Sequence, residues 1–159
     1  MQAPPGSNLA NSLDRAEAQL APNSTIPKEM EKEAVADVIN QTQSEGAGAG
    51  FFQAPEYPET VVPGLEEGLS GTDDFAVEIG AWLELAAGSY RFGVVSDDGY
   101  KVTSGTHPKD TGGTVVGFHN GGPANETFDF IVLQGGFYPF RMVWYERGGV
   151  LTPSGLRST

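Results

Sequence analysis

Two aspartates stand side by side in this chain, Asp97 and Asp98, with Gly99 and Tyr100 directly behind them. A strand-like run from Tyr90 to Val95 delivers the pair into a turn, and Gly99 supplies the backbone freedom to leave it. The result is a dense anionic point on a rigid frame. Asp-Asp-Gly is also an ordinary hairpin turn with two solvated charges, so the tripeptide alone leaves both readings open. Glycoside hydrolysis fits it poorly, because that chemistry places two carboxyl groups roughly 5 to 9.5 Å apart across a substrate. No Ser-His-Asp arrangement, Gly-rich phosphate loop or His-Glu-x-x-His pattern appears, and the sequence predicts no catalytic residues and no enzyme. His107 and His119 have no second histidine at metal-ligand spacing and read as loop or strand-end residues.

The elements that must position the acid pair are strands. From Asp74 to Leu85, Phe75, Val77, Ile79, Ala81, Leu83 and Leu85 share one face while Glu78 and Glu84 point away. Trp82 falls out of phase with that face and is expected to pack in a second layer rather than stand exposed. Tyr90 to Val95, Tyr100 to Val102, Thr114 to His119, Thr127 to Leu133 and Phe137 to Tyr145 follow as strands between Gly-rich turns, with Trp144 in phase with the core. Earlier in the chain, Ala34 to Thr42 reads as a first strand, and the Pro-punctuated stretch after Gly46 is expected to cross the surface, pinned by Phe51, Phe52 and Tyr57. At least seven short strands and almost no helix predict an all-β protein, an antiparallel β-sandwich or jelly roll.

Three segments are expected. Residues 1–30 are a linker or extension, mostly irregular and either partly helical or disordered, with a short helix suggested by Leu9, Leu13, Ala16 and Leu20 and Asn8 or Ser12 as cap, and carry little functional weight. Residues 31–150 form the sandwich. Residues 151–159 form an irregular tail, broken by Pro153 and Gly155, where a last strand is missing.

The 159 residues carry 21 acidic and 9 basic side chains, a formal net charge of −12 that excludes nucleic acid and anionic membrane surfaces as natural partners. With no cysteine, thiolate metal sites, thiol nucleophiles and disulfides are all excluded. No run approaches the roughly 18 apolar residues of a membrane span, so direct membrane insertion is not expected. Met1-Gln2-Ala3-Pro4-Pro5 lacks the basic start and apolar stretch of a signal peptide, which an exported protein would carry outside this chain.

In order, Gly88-Ser89-Tyr90-Arg91-Phe92, Ser96-Asp97-Asp98-Gly99-Tyr100, Gly136-Phe137-Tyr138-Pro139-Phe140-Arg141 and Trp144-Tyr145-Glu146-Arg147-Gly148-Gly149 resemble the PA14 domain, over roughly residues 33 to 150. That family consists of β-sandwiches found in bacterial toxins, glycosidases, adhesins and yeast flocculins. In its lectin-like members a paired aspartate holds a calcium ion that grips vicinal sugar hydroxyls. The resemblance therefore implies calcium as cofactor, with Asp97, Asp98 and Glu146 as metal ligands; Glu146 falls where flocculins have an asparagine, and a carboxylate serves the same ion. Asp97, Asp98, Tyr100, Gly148 and Gly149 are the ligand-binding residues it implies, and Asn120, beside the Gly-Gly-Pro turn, joins them as a candidate contact to a sugar hydroxyl. The function implied is that of a non-catalytic carbohydrate-binding module for adhesion, extracellular or at the cell surface, whose partner is a glycan. Two alternatives stand beside it: a structural, assembly or spacer module that meets other domains or subunits of a surface protein, and an accessory domain of a secreted glycoside hydrolase.

Overall fold

A computed structural model of the chain describes residues 1–42, 58–65, 72–148 and 154–158. The expected pins Phe51, Phe52 and Tyr57, and the candidate Gly149, lie outside the described residues. Among the described residues one helix, α1 (Leu13–Leu20), precedes nine strands: β1 (Asn40–Thr42), β2 (Thr60–Val61), β3 (Phe75–Leu85), β4 (Gly88–Ser96), β5 (Tyr100–Ser104), β6 (Thr114–His119), β7 (Ala124–Val132), β8 (Gly136–Glu146) and β9 (Ser154–Ser158). They form two sheets, one ordered β2-β1-β9-β4-β7 and the other β3-β8-β5-β6. Every pairing among them is antiparallel except that of β1 with β2.

The expected sandwich is thus present, and the alternation read from the sequence explains its core. Phe75, Val77, Ile79, Leu83 and Leu85 of β3 join Phe92 and Val94 of β4 and Phe128, Phe130 and Val132 of β7 in one cluster, together with Phe140, Met142 and Trp144 of β8. Phe92 sits at the centre of its aromatic part, edge-on to Phe130 at 4.8 Å and tilted to Phe140 at 5.8 Å. Such pairs contribute about 0.5–1.5 kcal/mol each beyond the area they bury.

Four expectations are corrected. Residues 154–158 are a strand, not an irregular tail: β9 lies between β1 and β4, bonding along both edges, and a strand held on both sides by main-chain bonds needs no apolar alternation to be placed. The first strand, expected over Ala34 to Thr42, is confined to Asn40–Thr42, and Val35 within the expected span is 99% exposed. Trp82 is 55% exposed on the outer face of β3, opposite Pro139 of β8, since its face of the sheet turns away from the sandwich interior.

Residues 1–30 are the fourth case. They do not hang free but pack on the outer face of β3 and β8. Ala16 is fully buried against Ala76, Val143 and Tyr145, with Leu13 and Leu20 alongside. Ser12 caps α1 by accepting from the Arg15 amide at 3.3 Å, and Gln2 makes bridges to both Met30 and Phe75. An ion network fixes the helix on the sheet: Glu17 receives both terminal nitrogens of Arg141, at 2.9 and 2.8 Å, and pairs with Lys101, while Arg141 Nε donates to Glu78 at 2.5 Å. Burial alone would raise the pKa of Glu17, but the bonds from Arg141 and Lys101 outweigh it and hold that carboxyl below its ordinary range.

Candidate metal centre

Strand register brings the candidate residues together. Tyr100 of β5 stands opposite Trp144 of β8, so two residues before one and two after the other place Asp98 across from Glu146. The amide of Tyr145 closes this end by donating to the Gly99 carbonyl at 3.2 Å. The turn itself is held from beneath, where the buried Trp144 Nε1 donates to the Asp97 carbonyl at 2.7 Å and Ser96 Oγ donates to the Asp98 carbonyl at 2.8 Å. Asp98 has φ +52°, a left-handed conformation that aspartate tolerates better than most residues. Its amide donates back to Asp97 Oδ1 at 3.1 Å. Gly99 is required by close approach: a Cβ there would lie 2.5 Å from Tyr145 Oη and 2.6 Å from the His119 carbonyl.

The three carboxylates converge. One oxygen from each of Asp97, Asp98 and Glu146 lies within 4.8 Å of the others. All three residues are buried, at 6%, 4% and 1% exposure. Asp98 Oδ2 accepts from the Arg147 amide at 2.8 Å and Oδ1 from Asn11 Nδ2 at 2.9 Å. Glu146 Oε1 accepts from the Gly148 amide at 2.5 Å, but its buried Oε2 has no hydrogen-bond partner among the described residues. These donors are neutral amides. The guanidinium of Arg15 is close, yet it bonds to the carbonyls of Ala10 and Phe75 and the side chain of Gln19, and reaches only the main-chain oxygen of Glu146, at 3.4 Å.

Electrostatics follow from that geometry. Burial pushes the Glu146 carboxyl up from the ordinary 4.5 to about 8, helped by the charges of Asp98, Asp97 and Asp73 and opposed by the Gly148 amide. Leaving a buried carboxylate oxygen unbonded among like charges is expensive, and the group either holds a proton or meets a cation. A cluster made only of oxygens, with no imidazole or thiol, suits a hard divalent ion, and the residues present fit one.

Not every expected residue belongs to this cluster. Tyr100 is corrected: at 1% exposure it lies in the core, stacked on Phe128, and burial together with the Glu126 carboxylate pushes its hydroxyl up to about 12. It follows the acid pair in sequence, but the strand alternation turns it inward. Asn120 is exposed, and its Oδ1 is already engaged, accepting from the Leu13 amide at 2.8 Å and from Tyr145 Oη at 3.2 Å, so it serves the start of α1. Gly148 adjoins the site through its amide and has φ +151°. His119 is a strand-end residue whose Nδ1 lies 2.9 Å from Glu126. Sequence reasoning misses Asn11, Arg15 and Asp73. Arg15 and Gln19, one helical turn apart on a short helix, are the available signal for a buried polar contact; Asn11 offers none.

No family model and no curated protein sequence matches this chain. Among solved structures, a PA14 sugar-binding domain from an RTX adhesin is similar over 99% of this chain and 85% of its own, with 21% identity and a TM-score of 0.54. The PA14 domain of the antifreeze protein MpAFP shares 24% identity over 52% of this chain, with 42% of that chain covered and a TM-score of 0.41.

Proposed function

We propose, from the premise that this chain has the fold of a PA14 domain, that it is a calcium-dependent carbohydrate-binding module. The fold itself is the plain finding of the comparison with the adhesin domain, which is described as sugar-binding. One observation carries the step to a cation: Glu146, 1% exposed, holds an unbonded carboxylate oxygen beside Asp97 and Asp98. Asp97, Asp98 and Glu146 are the side chains that would hold the ion, and when bound it supplies a positive centre able to take sugar hydroxyls into its shell. The chain's own part is rigidity. Trp144 fixes the Asp97 carbonyl, Ser96 that of Asp98, and the Arg147 and Gly148 amides orient one oxygen each of Asp98 and Glu146. The site therefore needs little rearrangement to receive a ligand.

The arrangement favours binding over hydrolysis. Glycosidase carboxyls stand across a substrate at roughly 5 to 9.5 Å, whereas these oxygens crowd within 4.8 Å in a buried cluster. We assign the module to a cell exterior, where calcium is plentiful and adhesion to glycans operates, and its excess of acid over base suits that setting. A glycan array read with calcium and again with chelator tests this. Binding to glycans that chelator removes is the expected result; calcium uptake without any glycan binding would leave only a structural cation, and glycan binding indifferent to chelator would overturn the role of the ion.

A further inference from the structure

The N-terminal arm touches the carboxylate cluster as well as the sheet. Asn11 lies at the step where the chain enters α1, immediately before the capping residue Ser12, and its Nδ2 donates to Asp98 Oδ1 at 2.9 Å. This bond from an arm side chain to a cluster carboxylate spans 87 residues of sequence. Asp98 is thereby gripped on both oxygens, by Asn11 from the arm and by the Arg147 amide from the end of β8. A carboxylate oxygen has lone pairs for a donor and a cation together, so Asn11 need not leave when an ion arrives.

Asn11 itself is exposed, and its place is set by the docking of the whole arm. Glu17 is clamped by Arg141 and Lys101, Gln19 Nε2 donates to the Asp74 carbonyl at 2.9 Å, and the Met1 ammonium donates to the Ala76 carbonyl at 2.9 Å. Arg15 ties the same helix to the ends of β3 and β8, through the carbonyls of Phe75 and Glu146, and stacks over Tyr145 at 5.0 Å.

We propose, resting on the calcium reading of the cluster, that Asn11 is a positioning residue for the cation site, and that docking of residues 1–20 and binding of the cation reinforce each other. The physical reason is linkage: if the docked arm orients Asp98 for the ion, the ion must by the same factor favour the docked arm. Residues that orient a metal ligand from outside the coordination shell typically affect affinity by roughly 10- to 100-fold.

The test uses the full chain in three forms, wild type, Asn11→Ala and Glu17→Gln, with calcium as the only added ligand. Glu17 is paired with Arg141 and Lys101, away from the cluster carboxylates, so its substitution weakens docking without touching a ligand. Calcium affinity is measured by calorimetry, and hydrogen exchange is followed over residues 13–20 in chelator and in calcium. The expected results are a loss of affinity of roughly tenfold for Asn11→Ala, a loss of about fivefold for Glu17→Gln, and slower exchange in the arm when calcium is present. Unchanged calcium affinity in both variants, even with a lowered melting temperature, would reduce the arm to ordinary packing and overturn the proposal while leaving the calcium reading standing. A wild-type protein that takes up no calcium overturns the calcium reading, and the proposal with it.

Discussion

Glutamine at position 146 isolates the electrostatic character of the cluster. In the metal-free protein Glu146 holds its proton up to about pH 8, whereas in the unfolded chain it releases it at the ordinary 4.5. A folded pKa raised above the unfolded one gives stability that is full below pH 4.5 and is lost as pH rises toward 8. Between those limits each unit costs about 1.4 kcal/mol, so that at about pH 7 the wild type has given up about 3 kcal/mol that Glu146→Gln, which carries no proton to lose, retains. For a chain of this size that is a difference of roughly 6–12 °C in melting temperature. The assay is thermal unfolding in chelator at about pH 5, 6, 7 and 8 for both proteins. The quantity to read is the difference between the two proteins, which should widen in favour of the variant as pH rises. Adding calcium should offset most of that difference: at roughly 100 times its dissociation constant an ion binding the native state alone adds about 2.7 kcal/mol to the wild type. Parallel curves in chelator, with a constant offset across the whole series, would mean that Glu146 titrates as an ordinary carboxyl and that burial among like charges does not hold its proton.

Trp144→Phe keeps a ring in the core but removes the bond to the Asp97 carbonyl; a stability loss of about 1–3 kcal/mol by urea denaturation is expected, together with weaker calcium binding. Gly99→Ala drives a methyl group to within 2.6 Å of the His119 carbonyl, so a loss of about 1–3 kcal/mol and a displaced Asp97–Asp98 turn, visible as shifted amide resonances, should result. Arg141→Met takes the guanidinium from Glu78 and leaves Glu17 with Lys101 alone; since both acids keep some solvent, the expected cost is about 2 kcal/mol, measured by the same denaturation. Because the Glu17 carboxyl is held below its ordinary range in the folded state, the stability it gives is present above its unfolded pKa and lost as pH falls through the folded one, so wild type and Arg141→Met should converge in melting temperature under acid conditions.

Much of this fold is legible in the chain. The β3 alternation from Phe75 to Leu85 and the β8 alternation from Tyr138 to Trp144 both predict strands with one face in a core, and both occupy that position. The convergence of Asp98 with Glu146 follows from one pairing, Tyr100 against Trp144, which a sequence does not state but which the ordered motifs imply. Other features escape for physical reasons. The arm is placed by Arg15, Glu17, Gln19 and Asn11 bonding to carbonyls and carboxylates far along the chain, and such polar long-range contacts leave no periodic trace. β9 is placed by the two strand edges it fills, so its own residues carry no alternation to read. Residue type alone assigns Trp82 to packing, yet register puts it on the outer face beside Pro139. Its place in a motif makes Tyr100 a candidate ligand, while the pleat turns it into the core.

Whether the three buried carboxylates form a cation site is decided by a calcium titration of the full chain, read by calorimetry near neutral pH with Asp97→Asn and Glu146→Ala as controls. Saturable binding of one ion by the wild type is predicted, with none, or far weaker binding, by either control. A wild type that shows no calcium binding, or one whose binding survives both substitutions unchanged, would contradict the assignment.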